Sequence, residues 1–292
     1  MTADLLLLLT AAIWGFAFVA QRAGMAHMGP FTFNAIRFLL GGLSLLAVGS
    51  IFKKPFGMSV RINDQRPKRF ILGGLITGLV LFAGASLQQV GLVGTTAGKA
   101  GFITGLYVVL VPILSLLIGR RTSVYNWLGA LLAVIGLYLL SVRQGMRISP
   151  FDGVVLLGAV VWAVHVHLVG HFSPRIGPVR LAIFQFLVCG ILSLGVSILF
   201  ETPTLTGVQG GWLPLAYGSF LSVGLAYTLQ VVAQRKAEPS HAAIILSLEG
   251  LFAAIGGWLV LGEVVDGRGV LGAALMLAGM LVSQLQILHI TK

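Results

Sequence analysis

Apolar residues along this chain gather into runs about twenty residues long, separated by short stretches rich in glycine, proline and charge. Ten runs stand out, at about 4–22, 31–52, 70–89, 95–117, 124–141, 152–171, 179–199, 212–234, 240–261 and 266–288. Roughly twenty residues of helix, rising about 1.5 Å each, cross about 30 Å of hydrocarbon. The alternation that marks the strands of a membrane barrel is missing. The pattern predicts an all-α membrane protein with ten transmembrane helices.

The small and polar residues that punctuate these runs recur at fixed distances. Trp14-Gly15, Gly29-Pro30 and Ala35-Ile36-Arg37-Phe38 return 148 positions later as Trp162-Ala163, Gly177-Pro178 and Ile183-Phe184-Gln185-Phe186. Gln88 corresponds to Gln230 and Ala100 to Ala242 at 142 positions, and Gly129 to Gly272 and Gly136 to Gly279 at 143. Two five-helix repeats are expected, residues 1–145 and 146–292. Five spans is an odd number, so the second repeat enters the membrane inverted relative to the first. Such repeats hold a substrate near the midplane, where the halves meet.

Composition agrees with a lipid solvent: 57% of residues are hydrophobic, 9% are charged and the mean hydropathy is +1.00, against about 25% charged in soluble domains. A net charge of +11 would by itself suggest nucleic acid, but its placement argues for a bilayer. With the N-terminus in the cytoplasm, thirteen of the Lys and Arg residues fall on the inner side and five on the outer, while Arg37 lies within a helix. This positive-inside bias predicts that both termini are cytoplasmic. The basic loop from Lys53 to Arg69 serves as a topology anchor on anionic headgroups. No basic residue precedes the first run and no convincing cleavage site follows it, so it is expected to be retained. Cys189, the only cysteine, rules out an intramolecular disulfide.

Polar and aromatic residues inside the runs are the candidates for function. Trp14 and Trp162 are repeat mates near mid-bilayer; they either wall a pocket for a ring or a cation, or fill space between helices. Glu249 lies equally deep, where an acid is a functional-site hypothesis; it attracts an ammonium, carries a proton, or is a paired structural group. Tyr107 is at the equivalent depth in the fourth run. Gln88 and Gln230 are mates, and Tyr227, Gln230 and Gln234 form one polar stripe that faces either a cavity or a neighbouring helix. Lys99 has His241 as its mate, each in a first helical turn at opposite membrane faces; the two act as gates or snorkel to the headgroups. Arg37 either bonds exposed carbonyls or meets substrate. His165 shares a face with Trp162 and can join the cavity. His167 and His171 share a face but have no third ligand nearby, so neither a metal nor any other cofactor is expected.

Other classes fit poorly. Gly94 to Ala100 superficially resembles a phosphate-binding loop, but its glycine spacing is short, its final hydroxyl is missing and no strand precedes it. An intramembrane enzyme needs a nucleophile with a base, paired acids or a metal triad, and none stands at usable spacing. A channel needs a ring of like groups, and the two halves are unlike.

Trp14-Gly15, Arg37-Phe38, Leu248-Glu249 followed by Phe252, Leu261-Gly262-Glu263, and Gly272 through Gly279 resemble the EamA branch of the drug/metabolite transporter superfamily. The likeness covers essentially the whole chain, in two copies. It departs at Gly250, where the family often has proline, and at Gly119-Arg120, the counterpart of Gly262-Glu263; Glu263 is therefore taken as a helix-end charge. The resemblance implies a ten-helix exporter of the inner (plasma) membrane, with a cavity lined by helices 1 to 4 and 6 to 9 and with helices 5 and 10 peripheral. Within the family the aromatic amino-acid exporters are most similar. On that likeness Trp14 and Trp162 hold the ring, Glu249 the amine, and Lys99 or Gln88 the polar ends. The expected function is export of small amphipathic metabolites by alternating access, with a broad drug or metabolite carrier as the alternative.

Overall fold

The computed structural model describes residues 2–51, 67–142, 149–261 and 267–290. Most of the basic loop from Lys53 to Arg69, the boundary between the two expected repeats, and Glu263 lie outside these residues. The described chain is helical: α1 (Thr2–Gly24), α2 (Pro30–Ile51), α3 (Pro67–Gly94), α4 (Ala97–Gly105), α5 (Tyr107–Leu117), α6 (Val124–Ser141), α7 (Pro150–Ile176), α8 (Pro178–Phe200), α9 (Leu205–Gly210), α10 (Trp212–Ala216), a π-helical segment (Tyr217–Tyr227), α11 (Thr228–Ala233), α12 (Pro239–Leu246), α13 (Glu249–Leu261) and α14 (Gly267–Ile290). Nine spans among the described residues are long and apolar enough to cross a membrane, and a shorter apolar helix, Val124–Leu140, accounts for the tenth run.

Three of the predicted runs are not uniform α-helices. The fourth breaks at Leu106 and the ninth at Ser247-Leu248, where the Leu106 N–H turns to the Ile103 carbonyl and the Leu248 N–H to the Ile245 carbonyl, three residues back rather than four. The eighth, from α10 to α11, widens into a π-helix over Tyr217–Tyr227. Each irregularity begins or ends beside a polar residue named from the sequence: Tyr107 opens α5, Glu249 opens α13 and Tyr227 closes the π-helical turn.

Helix ends follow local chemistry. Gly29-Pro30 starts α2, whose first free N–H groups, those of Phe31 and Thr32, donate to the Glu201 carboxylate at 2.9 and 2.7 Å; a negative charge at a helix start is favourable. Gly177 turns the chain between α7 and α8 with φ +94°, a conformation glycine adopts without steric cost.

Polar residues point inward and aliphatic ones outward, as lipid demands. Arg37, Gln88, Gln185, Gln230 and Glu249 are all buried, while Leu117, Leu199 and Phe200 are about three-quarters exposed. Contacts between the halves come in matched pairs. Helix α2 packs on α8 and α6 on α14; α3 packs on α7, and its counterpart, the eighth span, packs on α1; α1 packs on α13, and α7 on α4 and α5. The α6/α14 crossing repeats the match in detail. A Cβ at Gly129 would lie 2.7 Å from the Gly279 carbonyl oxygen, and one at Gly136 2.5 Å from that of Gly272. The four glycines let two backbones touch.

Candidate functional site

Seven spans converge on one partly open hollow, with about 430 Å³ of empty space counted out to and including its mouth. Trp14, Gln21 and Phe18 face it from α1, Arg37 from α2, Gln88 from α3, and Thr104 and Tyr107 from the fourth span. Trp162 and Val166 contribute from α7, Ser222, Tyr227 and Gln230 from the eighth span, and Leu246 with Glu249 from the ninth. The fifth and tenth spans are absent from this lining, and so is α8, the seventh span.

Its centre is aromatic. The Tyr227 ring stands 4.5 Å from Trp14 and 6.1 Å from Trp162, centroid to centroid, with Phe38 and Phe186 behind it at 5.8 and 5.9 Å. Both indole N–H groups are engaged: Trp14 donates to the Ser222 carbonyl at 3.3 Å, and Trp162 to Gln88 Oε1 at 3.0 Å. Gln88 in turn donates its amide to Gln21 Oε1 at 3.0 Å. The chain Trp162–Gln88–Gln21 fixes one wall. Trp14 and Tyr227 are in direct ring contact.

Its rim is polar and unsatisfied. Arg37 Nη2, Thr104 Oγ1, Tyr107 Oη, Gln230 Oε1 and Glu249 Oε1 are all buried, all belong to residues lining the hollow, and have no hydrogen-bond partner. Buried polar groups are nearly always satisfied. Five unsatisfied ones around a single space mark a place where solvent or a ligand supplies the partners. Arg37 is held rigidly: its Nε donates to Asn34 Oδ1 at 2.9 Å, Asn34 is tied to the Ala85 carbonyl, and the guanidinium sits 4.8 Å from the centre of the Phe38 ring.

Of the residues singled out in the sequence, Trp14, Gln88, Tyr107, Trp162, Tyr227, Gln230 and Glu249 meet here. His165 and Lys99 do not line the hollow. His165 is fully buried behind it, donating to Gln185 Oε1 at 2.9 Å and meeting the Trp162 ring edge-to-face, so it braces the indole. Lys99 lies away from it, 2.6 Å from Asp152 Oδ2. Asp152 also accepts from Thr95 Oγ1 and from the Ser149 N–H. His241, the mate of Lys99, pairs with Asp4 at 2.8 Å and with Ser283 at 3.1 Å. Sequence reasoning missed Gln21, Thr104, Ser222 and both aspartates. Asp4 and Asp152 did carry a signal, since they stand 148 positions apart like the other mates.

A second recess of about 980 Å³ lies between α2, α8 and the eighth span. Its lining is apolar apart from Ser44 and Thr228, and its residues Val48, Phe220 and Leu225 are exposed.

Apolar spans closed around a buried polar hollow define a multi-pass membrane protein that handles a small molecule. The chain belongs to the EamA-like transporter family, whose model matches residues 1–142 and again 151–284. It is therefore a membrane transporter. An uncharacterized transporter of Archaeoglobus fulgidus is 34% identical over 98% of this chain and 86% of its own length. The threonine/homoserine exporter RhtA of Salmonella typhimurium is 28% identical over 87% of this chain and 81% of its own. The uncharacterized inner membrane transporter YedA of Escherichia coli is 24% identical, covering 72% and 68% respectively. A crystal structure with 20% identity superposes with a TM-score of 0.79 over 99% of both chains, a likeness of fold.

Proposed function

We propose that this transporter exports aromatic or large hydrophobic amino acids across the inner (plasma) membrane by alternating access. The observation that carries the reading is the chemistry of the hollow: an aromatic wall of Trp14, Tyr227 and Trp162 with a buried acid, Glu249, on its rim. That combination complements an ammonium attached to an apolar ring. One relative is named as an amino-acid exporter, and it supports the amino-acid class though not the ring. A broad carrier of amphipathic metabolites is the second reading, favoured by a lining divided between aromatic or aliphatic and polar residues.

In this account residues 1–145 and 146–292 are inverted repeats, supported by the matched contacts between the halves and by the reciprocal glycine crossing of α6 and α14. Both termini face the cytoplasm, as the distribution of Lys and Arg implies. The breaks before Tyr107 and Glu249 set the starts of two half-helices at the hollow, an arrangement transporters use to bind substrate at mid-membrane. Trp14→Ala combined with Trp162→Ala is expected to abolish phenylalanine efflux from loaded vesicles while the protein still inserts. Unchanged efflux by the double variant refutes the aromatic reading.

A further inference from the structure

We infer that Arg37 anchors a carboxylate on the transported molecule, which makes the substrate a zwitterion bridging Arg37 and Glu249. This deepens the amino-acid reading and rests on it. Among the described residues five acids are present, and four have partners: Asp4 pairs with His241, Asp152 with Lys99, Glu201 caps α2, and Glu238 accepts from Asn126 at 2.6 Å. The fifth, Glu249, has only the neutral Tyr107 hydroxyl close to it, and it alone of these acids keeps a buried oxygen outside hydrogen-bond geometry. No described acid forms an ion pair with Arg37, which is 1% exposed and keeps Nη2 unbonded while lining the same hollow. Asn34 occupies Nε and the Phe38 ring covers one face. What remains is the end of the fork, the part that matches a carboxylate geometrically. Burying a cation without a counter-ion is strongly unfavourable, and so is burying an acid. A molecule carrying both charges relieves both at once.

The test is a titration of tryptophan fluorescence in purified, detergent-solubilised protein. Its ligands are a panel of amino acids, aromatic and aliphatic, and for each its C-terminal amide. Wild type is expected to bind the acids about tenfold to a hundredfold more tightly than the amides. In Arg37→Gln the acids weaken to the level of the amides. Arg37→Lys, which keeps the charge but not the fork, recovers part of the preference and guards against misfolding of the neutral variant. If Arg37→Gln still prefers acids over amides, or if amides bind wild type as well as acids, the anchor is overturned. Should only aliphatic acids bind, with the preference lost in Arg37→Gln, the aromatic reading fails and the anchor stands. Should none of the acids bind, both fall.

A separate observation leads to a second inference. The Lys99–Asp152 ion pair and the His241–Asp4 contact are built from mates: the aspartates are 148 positions apart, the bases 142. Each joins the first helix of one half to the fourth span of the other. Given inverted repeats, the two pairs stand at opposite membrane faces, and we propose that they are latches, opened in turn, that close the two ends of the hollow. Thr104→Cys in a Cys189→Ser background places a single thiol in the hollow for labelling by an impermeant maleimide, added to either side of sealed vesicles. Asp4→Asn should raise labelling several-fold from the face bearing the N-terminus only, and Asp152→Asn from the opposite face only. Exchanging Lys99 and Asp152 should restore protection. An increase from the same face for both variants, or from neither, overturns the latches.

Discussion

A carboxyl at the start of α13 and a guanidinium about two turns into α2 are each costly to bury, and the chain buries both without joining them. The first turn of a helix is the favourable place for an acid, and Glu249 occupies it. If Glu249 holds the ammonium of the substrate, Glu249→Gln weakens phenylalanine binding about tenfold to a hundredfold, while 3-phenylpropionate, which lacks the amine, binds much as before. Paired fluorescence titrations check this, and an equal loss for both compounds would assign Glu249 a structural part. At this scale much of the site was legible, because a polar residue far inside an apolar run has few roles open to it. Glu249, the two tryptophans and the glutamines stood out for that reason. Lys99, in a first helical turn, stood out as a candidate gate, yet its neighbour Asp152 comes from a distant helix start, and an ion pair between elements is invisible in a run. Arg37 was ambiguous because its neighbours decide whether the fork is consumed by carbonyls or left facing the hollow.

The spans themselves follow from the apolar runs, whereas their breaks do not. Leu106 and Leu248 are good helix formers, and a single tightened turn does not disturb the hydrophobic pattern around it. In the ninth span a local competitor is visible: Ser247 Oγ bonds the Ile244 carbonyl, which draws the backbone away from regular pairing. That the breaks fall at matched positions in the two halves, each just before a residue of the hollow, ties element geometry to the site. Gly15 extends the same logic to α1. A side chain there would press on the α13 backbone, 2.7 Å from the Glu249 carbonyl oxygen, so the glycine beside Trp14 lets the two helices bring the indole and the acid to one space. The proposed latches each join an α1-type helix start to an α4-type one.

For the molecule as a whole, lipid sets an outer surface of leucine and phenylalanine and leaves the inside free for polar groups. On the proposed reading, the aromatic nest around Tyr227, the Trp162–Gln88–Gln21 wall and the unsatisfied rim receive a ligand with a ring and two opposite charges. Counterflow in proteoliposomes examines that most directly: vesicles loaded with phenylalanine take up labelled phenylalanine from outside in the presence of unlabelled phenylalanine, phenylalaninamide or 3-phenylpropionate. The account predicts that phenylalanine alone competes strongly, with each single-charge analogue at least about tenfold weaker. Equal competition by all three compounds, or no exchange of phenylalanine at all, would contradict it.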